Sequence, residues 1–324
     1  MRVITAEDLS RIFTYADLIE ALRQAFRQHI ITPERHHHNV EIGEGPAATL
    51  LLMPAWHDLS TAPAEPEGGF LGVKIVTVHP GNAARGKASV SGLYYLVAGG
   101  TGEPLAVIDG GPLTLWRTAA ASALAASYLA RADACRLVMV GAGALAPHLI
   151  SAHASVRPIT AVSVWNRNSR RAEQLAEILD GRGYAVQVAV DLAEAVREAD
   201  IISCATLAKE PLVKGAWLKE GAHLDLVGAY TPEMRESDDD AVTRASIFVD
   251  TRPGATKEGG DVLQPMRDRV IRSDDIVGDL FDLCRGTVVG RRTEGEITLF
   301  KSVGTAVEDL AAARLAFARY RPPE

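Results

Sequence analysis

The chain is poor in cysteine, in net positive charge and in uninterrupted apolar sequence, and each shortage excludes something. Its three cysteines, Cys135, Cys204 and Cys284, are widely spaced and odd in number, which fits neither a disulfide framework nor a zinc pattern. Cys135 and Cys204 lie beside or inside apolar runs and read as buried thiols in a reducing compartment. Lysine plus arginine number 34 against 41 aspartate plus glutamate, a formal charge of −7. No basic excess is therefore present to bind nucleic acid or an anionic membrane. The most apolar stretch, residues 119–150, is broken by Arg131, Asp133 and Arg136, so it does not read as a membrane span. The opening MRVITAEDLSRIF lacks the apolar core of a signal peptide, and the expectation is a cytoplasmic protein without a membrane partner. Neither an internal repeat nor a low-complexity region stands out.

What is present is ordinary globular material: 324 residues, 47% hydrophobic and 23% charged, enough for two modest domains. Only the tail RPPE reads as disordered. Thr5 and Thr14 precede Asp8 and Asp17 by three residues, the spacing of helix-capping pairs, so TAEDLSRIFTYADLIEALRQAFRQHI predicts two consecutive helices. Residues 32–66 are richer in Pro and Gly around a strand-like ATLLLMPAW. Then follow GGFLGVKIVTVHPGN, a hairpin turning at Gly-Gly-Thr-Gly (99–102), and a long Ala-rich helix, LTLWRTAAASALAASYLARA. The first third thus predicts an α+β domain with a mixed or antiparallel sheet.

From Arg136 the pattern changes. RLVMVGAG, ITAVSVWN, AVQVAV, DIISCAT, AHLDLVGA and SIFVDT alternate with helical segments, which predicts an α/β fold: a doubly wound parallel Rossmann sheet. The last segment, TLFKSVGTAVEDLAAARLAFARY, reads as a helix beyond that alternation.

VMVGAGALAPHL places Gly141, Gly143 and Ala146 as G-x-G-x-x-A directly after a strand and at the start of a helix. In this setting the motif reads as a dinucleotide site. Gly141 permits the turn, Gly143 lets a pyrophosphate approach the backbone, and the helix N-terminus offers free N–H groups. Ala144 within the turn belongs to the same set. The next strand ends in VWNRNSRRAEQL, where an NAD-binding protein would place a carboxylate for the ribose. Here Asn166, Arg167, Ser169, Arg170 and Arg171 stand instead, and no acid occurs until Glu173. Arg167 and Arg170 with Ser169 suit a 2′-phosphate, so NADPH is expected to be preferred, with NADH also a candidate.

Three cations lie in largely apolar surroundings: Arg35 in TPERHHH, Lys74 in LGVKIVTV and Arg117 in LWRTAAASALAA. Each alone is more often solvated than catalytic, and Lys74 alternates with Val73 and Ile75 as a residue on a solvent face would. Together they suggest a substrate bearing a carboxylate. RHHHN (35–39) reads as a loop near substrate rather than a metal site, because consecutive histidines point in different directions.

FLGVKIVTVHPGN, WRTAAASALAA, VGAGALA and EITLFKSVGTAVED, in this order over nearly the whole chain, resemble the ornithine cyclodeaminase/μ-crystallin family. The resemblance implies a homodimer. It also implies a substrate-binding and dimerisation domain of residues 1–118 with 304–324, and a nucleotide-binding domain of residues 119–303. By the same resemblance Arg35, Lys74 and Arg117 hold a substrate carboxylate, Thr118 and Thr206 lie by the nucleotide, and Ser302 and Val303 lie by the nicotinamide. Two carboxylates of the ornithine cyclodeaminases are replaced, one by Tyr230 and one, before the LMP turn, by Leu51. GAYTPEMRESDDD instead resembles the ketimine-reductase branch, bacterial Δ1-pyrroline-2-carboxylate reductases above all. That implies NAD(P)H-dependent reduction of a cyclic imino acid, with Lys74 binding the carboxylate or delivering a proton and Tyr230 a packing residue or proton donor. The competing readings are an alanine-type dehydrogenase, an ornithine cyclodeaminase and a non-catalytic NADP-dependent binder.

Overall fold

The computed structural model describes residues 1–43, 45–60 and 69–321, so the expectation of a disordered RPPE tail falls on residues that mostly lie outside it. The chain divides into two units, Met1–Thr118 with Thr305–Glu324, and Ala119–Gly304.

The first unit opens with strand β1 (Arg2–Ile4) and helices α1 (Ala6–Ile12) and α2 (Tyr15–Arg27). Thr5 and Asp8 close a reciprocal capping box, and the Thr14 side chain accepts the Asp17 N–H, as the spacing predicts. Leu18, Leu22 and Phe26 line the buried side of α2, each worth about 1.5–3 kcal/mol of transfer free energy. Strands β2 (Ile30–Ile31), β3 (His36–Val40), β4 (Ala48–His57), β5 (Phe70–Val78), β6 (Val90–Ala98) and β7 (Pro104–Asp109) complete the sheet, and helix α3 (Gly110–Leu129) leaves it. The order is β1-β7-β6-β5-β4-β2 with β3 also on β4. β1 runs parallel to β7 and the other pairs are antiparallel.

Several local readings change here. The histidines of RHHHN do not sit in a loop: His36 to Asn39 pair with Leu52 to Thr49 as an exposed edge strand. LMP is no turn, since Pro54 faces Val73 in the middle of β4. The Ala-rich helix begins three residues early, at Gly110, where the Asp109 carboxylate accepts the Gly111 N–H. Gly72 has a packing reason: a Cβ there would lie 2.2 Å from the Tyr94 hydroxyl oxygen, so only glycine lets that ring cross β5.

The second unit is a parallel eight-stranded sheet built from β8 (Arg136–Val140), β9 (Ala161–Trp165), β10 (Ala185–Val188), β11 (Ile201–Cys204), β12 (His223–Leu226), β13 (Ser246–Val249), β14 (Ile276–Asp279) and β15 (Thr298–Lys301). Between them run α4 (Ala146–Val156), α5 (Ser169–Leu179), α6 (Leu192–Glu198), α7 (Asp239–Arg244), α8 (Arg252–Lys257), α9 (Gly260–Arg267) and α10 (Leu280–Arg285). The order β10-β9-β8-β11-β12-β15-β13-β14 is doubly wound from β8, with its switch point between β8 and β11. Open α/β sheets bind ligands at the carboxyl ends of the strands flanking that point.

One large error of the sequence reading lies here. TLFK, taken as helix, is β15, wedged between β12 and β13. All four of its residues are buried, and its polar members are satisfied tertiarily. Thr298 Oγ1 donates to the Leu129 carbonyl, and Lys301 Nζ lies 3.2 Å from Asp261. The helix itself, α11 (Ala306–Arg319), starts only after this strand and belongs to the first unit, where it packs on α2 and across β4, β5 and β6.

Candidate active site

In the first unit the pleat of β5 turns Gly72, Lys74 and Val76 toward the buried face. Lys74 is 2% exposed, so the solvent-face reading of its alternation with Val73 and Ile75 is wrong. A buried ammonium needs an acceptor, and α11 supplies it. Lys74 Nζ donates to Asp309 Oδ1 at 2.9 Å and lies 2.8 Å from Oδ2. Arg117 on α3, 5% exposed, places Nε 2.9 Å from Asp309 Oδ1 and pairs through Nη1 with Glu308. Tyr94 sits directly across from Lys74 on β6, its buried hydroxyl without a hydrogen-bond partner among the described residues. Leu51 on β4, opposite Val76, adds an apolar side chain to the face that Lys74 shares. Arg35 stands just before β3 and its charge acts on both Lys74 and Asp309.

Electrostatics follow from this packing. Burial, then the neighbouring Arg117, brings the Lys74 ammonium down to about 8, although Asp309 pulls it back up. Burial works against ionisation of Asp309, but Arg117 and Lys74 outweigh it and hold its carboxyl below the ordinary range. Burial and then the Asp309 charge push the Tyr94 phenol well up, keeping it neutral. Arg117 and Arg35 thus both bear on the Lys74–Asp309 pair, making this end of the first unit rich in cations.

Sequence reasoning found Lys74 and Arg117 and missed Asp309 and Glu308. Acids in the first turn of a helix are ordinarily explained by its dipole, and nothing local marks these two as ion-pair partners of β5 and α3.

In the second unit Gly141 ends β8 at φ +111, and a Cβ there would lie 2.6 Å from the Ala205 carbonyl oxygen. Gly143 is open: a Cβ would meet nothing within 4 Å. Ala144 lies in the same turn, and Ala146 starts α4, whose N-terminus has no side-chain cap. An uncapped helix end behind an open glycine is what a pyrophosphate requires. Asn166 turns inward, its Oδ1 accepting the Ala142 N–H and its Nδ2 donating to the Asn168 carbonyl, so it braces the glycine turn. Ser169 opens α5 with Asn168 as its cap and without an acid in the first turn. Arg167, Arg170 and Arg171 are exposed there, and among the described residues their side chains have no ion-pair partner.

Thr206 lies beside Gly141. Its N–H and Oγ1 both donate to Glu236 Oε1, at 2.7 and 2.8 Å. Glu236, unnoticed in the sequence, is fully buried and also accepts the Gly228 and Ala229 N–H groups. Burial and nearby Asp261 push its carboxyl up to about 7. Ser302 is 2% exposed, its hydroxyl without a hydrogen-bond partner among the described residues, and the Val303 N–H donates to Asp250 at 2.7 Å. The open Gly143 and the orphaned Ser302 hydroxyl fit a dinucleotide. Tyr230, 44% exposed, follows β12, and Thr118 follows Arg117 on α3, half-buried. Among the described residues no group of three or more His, Cys, Asp or Glu is placed to hold a metal ion. No helix among them is long and apolar enough to cross a membrane.

The profile of the ornithine cyclodeaminase/mu-crystallin family matches residues 2–322. A Δ1-pyrroline-2-carboxylate reductase of Colwellia psychrerythraea is 38% identical over 97% of both chains. The structure of Thermococcus litoralis Δ1-pyrroline-2-carboxylate reductase in complex with NADH and L-proline superposes with a TM-score of 0.89 at 33% identity, covering 98% of this chain and 97% of that one. An archaeal alanine dehydrogenase dimer with bound NAD gives 0.88 at 29% identity, covering 98% and 95%.

Proposed function

The chain belongs to the ornithine cyclodeaminase/mu-crystallin family, and within it we propose an oxidoreductase that reduces a cyclic ketimine acid with a nicotinamide cofactor. Its substrate is Δ1-pyrroline-2-carboxylate or the six-membered homologue, reduced to L-proline or L-pipecolate. The observation that carries this reading is the buried Lys74–Asp309–Arg117 cluster on the sheet face that carries the apolar Leu51, a seat for one carboxylate. The resemblance to the Colwellia and Thermococcus reductases supports it.

Arg117 and Arg35 hold the substrate carboxylate by charge-assisted hydrogen bonds. A fixed carboxylate fixes the imine carbon, and such positioning contributes on the order of several kcal/mol to lowering the barrier. The nicotinamide, when bound, supplies the hydride. Gly141, Gly143, Ala144 and the N-terminus of α4 seat its pyrophosphate, Asn166 and Thr206 shape that turn, and Ser302 and Val303 stand by the nicotinamide ring with Thr118. Arg167, Ser169 and Arg170 receive a 2′-phosphate, which makes NADPH the preferred cofactor over NADH. Residues 1–118 with 304–324 form the substrate domain and residues 119–303 the cofactor domain. Tyr230 packs beside the substrate.

The protein is a homodimer in this reading. The face of the first unit's sheet opposite α11 presents Leu50, Leu52, Leu71, Val73, Ile75 and Leu93, an apolar surface of the kind that marks an interface. Light scattering of Leu71→Glu/Leu93→Glu, expected to be monomeric, tests it.

The deciding experiment is oxidation of NADPH and NADH with Δ1-pyrroline-2-carboxylate, run beside pyruvate plus ammonia. Turnover of the imine alone supports the reading. Turnover of pyruvate with ammonia alone replaces it with the alanine-type dehydrogenase, which the likeness to the archaeal enzyme favours as the second reading.

A further inference from the structure

The three ammonium protons of Lys74 are not equally available. Lys74 Nζ donates to Asp309 Oδ1 at 2.9 Å and sits 2.8 Å from Oδ2, so the carboxylate holds the ammonium through one hydrogen bond and a close ion pair without taking up all three of its donors. The same carboxylate forms an ion pair with Arg117, Nε lying 2.9 Å from Oδ1, so a single residue sits between the two cations. Asp309 stands in the first turn of α11, where the helix dipole favours a negative charge. Every other group near Lys74 works differently. Arg117 from α3 and Arg35 from the segment before β3 repel its charge. Tyr94 from β6 stays neutral, and Glu308 of α11 is turned to Arg117. Met53 of β4, directly opposite, is apolar.

We propose that Asp309 is the positioning residue of this site: it fixes the Lys74 ammonium and keeps it charged, so that Lys74 is the proton donor to the ring nitrogen. The inference rests on the ketimine-reductase reading and deepens it. The step balances. The imine carbon gains a hydride from the reduced nicotinamide, the C=N π pair moves onto nitrogen, and the nitrogen takes the Lys74 proton. The products are the cyclic amino acid, the oxidised nicotinamide and a neutral Lys74 that recovers its proton from solvent. A retained ammonium beside a carboxylate clamp also answers how a cation-rich site protonates an imine: the proton arrives with hydride transfer instead of residing on the free substrate.

The test reads Lys74 directly, without substrate. In protein carrying 13C-labelled lysine, the Lys74 Cε resonance is assigned by its loss in Lys74→Met and titrated in wild type, Asp309→Asn and Asp309→Glu. The expected midpoint is about 8 in wild type, at least one pH unit lower in Asp309→Asn, and within half a unit of wild type in Asp309→Glu. The alkaline limb of kcat/KM for imine reduction moves by the same amount, with kcat falling more than KM rises. An unmoved Lys74 titration in folded Asp309→Asn overturns the assignment. Should that variant fail to fold, wild type decides: a midpoint above 7 supports the role of Asp309 and one below 7 refutes it. Absence of imine turnover by wild type would sink the ketimine reading while the titration still reports on Asp309.

Discussion

Lys74 and Asp309 are 235 positions apart in the chain, yet the lysine nitrogen lies within hydrogen-bonding distance of both oxygens of the aspartate carboxylate, fully enclosed. Their pairing joins the middle of a sheet to the last helix and sets the character of the proposed substrate seat.

Lys74→Met removes the proposed proton donor but keeps the Arg117–Asp309 pair. Imine reduction should fall by about 10²- to 10⁴-fold, the usual contribution of a positioned acid, with most of the loss in kcat. Steady-state kinetics with saturating NADPH measure it; a loss confined to KM would return Lys74 to carboxylate binding alone.

Arg117→Met removes the ion-pair partner of Glu308 and one of the two cations on Asp309, both carboxylates buried. Removing one partner of a buried ion pair costs about 3–5 kcal/mol, so urea unfolding should shift to markedly lower midpoints. Arg117→Lys keeps the charge and loses the planar fork. It should fold nearly as well and raise KM for the imine about tenfold or more.

The two glycines of the turn should fail in different ways. Gly141→Ala forces a side chain into a positive φ and against the Ala205 carbonyl, costing about 1–3 kcal/mol of stability. Gly143→Ala meets open space and should melt like wild type while binding NADPH more weakly. Thermal melts beside cofactor titration separate the two effects.

Removing Arg167 and Arg170 together, as Arg167→Ala/Arg170→Ala, should raise KM for NADPH about tenfold and leave KM for NADH unchanged, since only one cofactor carries the 2′-phosphate. Equal effects on both would remove the case for NADPH preference.

His223 reports on acid stability. Burial holds its imidazole down at about 3, with Asp225 opposing, so the folded protein keeps it neutral while the unfolded chain takes up a proton near 6.5. Its contribution to stability is therefore lost as pH falls from about 6.5 toward 3, at up to about 1.4 kcal/mol per pH unit. Glu236, raised to about 7, acts in the opposite sense, losing stability as pH rises from its unfolded value through 7. The measurement is accordingly the difference in unfolding free energy between wild type and His223→Gln from pH 7 to 4, which should shift against wild type as pH falls.

How legible all this was depended on how local the constraint is. The turn at Gly141 could be read because positive φ and close packing at a strand end restrict residue type on the spot, and Gly143 stands two positions on in the same motif. The capping of α1 by Thr5 and Asp8 was visible for the same reason, all its partners lying within four positions. Lys74 drew attention as a cation among apolar neighbours, but its burial could not be read, since alternation describes a solvent face equally well until the facing helix is known. β15 was hidden by its own composition. Thr298 and Lys301 look unfit for a buried strand, and the groups that satisfy them, the Leu129 and Leu226 carbonyls and the Asp261 carboxylate among them, lie far off in sequence. Asp309 was hidden in the same way, as an ordinary acid at a helix start.

The return of α11 to the first unit also governs the order in which the chain can mature. Residues 119–304 must be synthesised between the strands that carry Lys74 and the helix that carries Asp309. At about 5–20 residues per second the ribosome takes roughly ten to forty seconds over that interval. Until then the β4–β6 sheet has no α11 to cover it and the Lys74 ammonium has no counter-ion. The first unit to emerge is therefore the last to finish, and it spends its youth as a client for whatever shields apolar sheet from its neighbours in the cell.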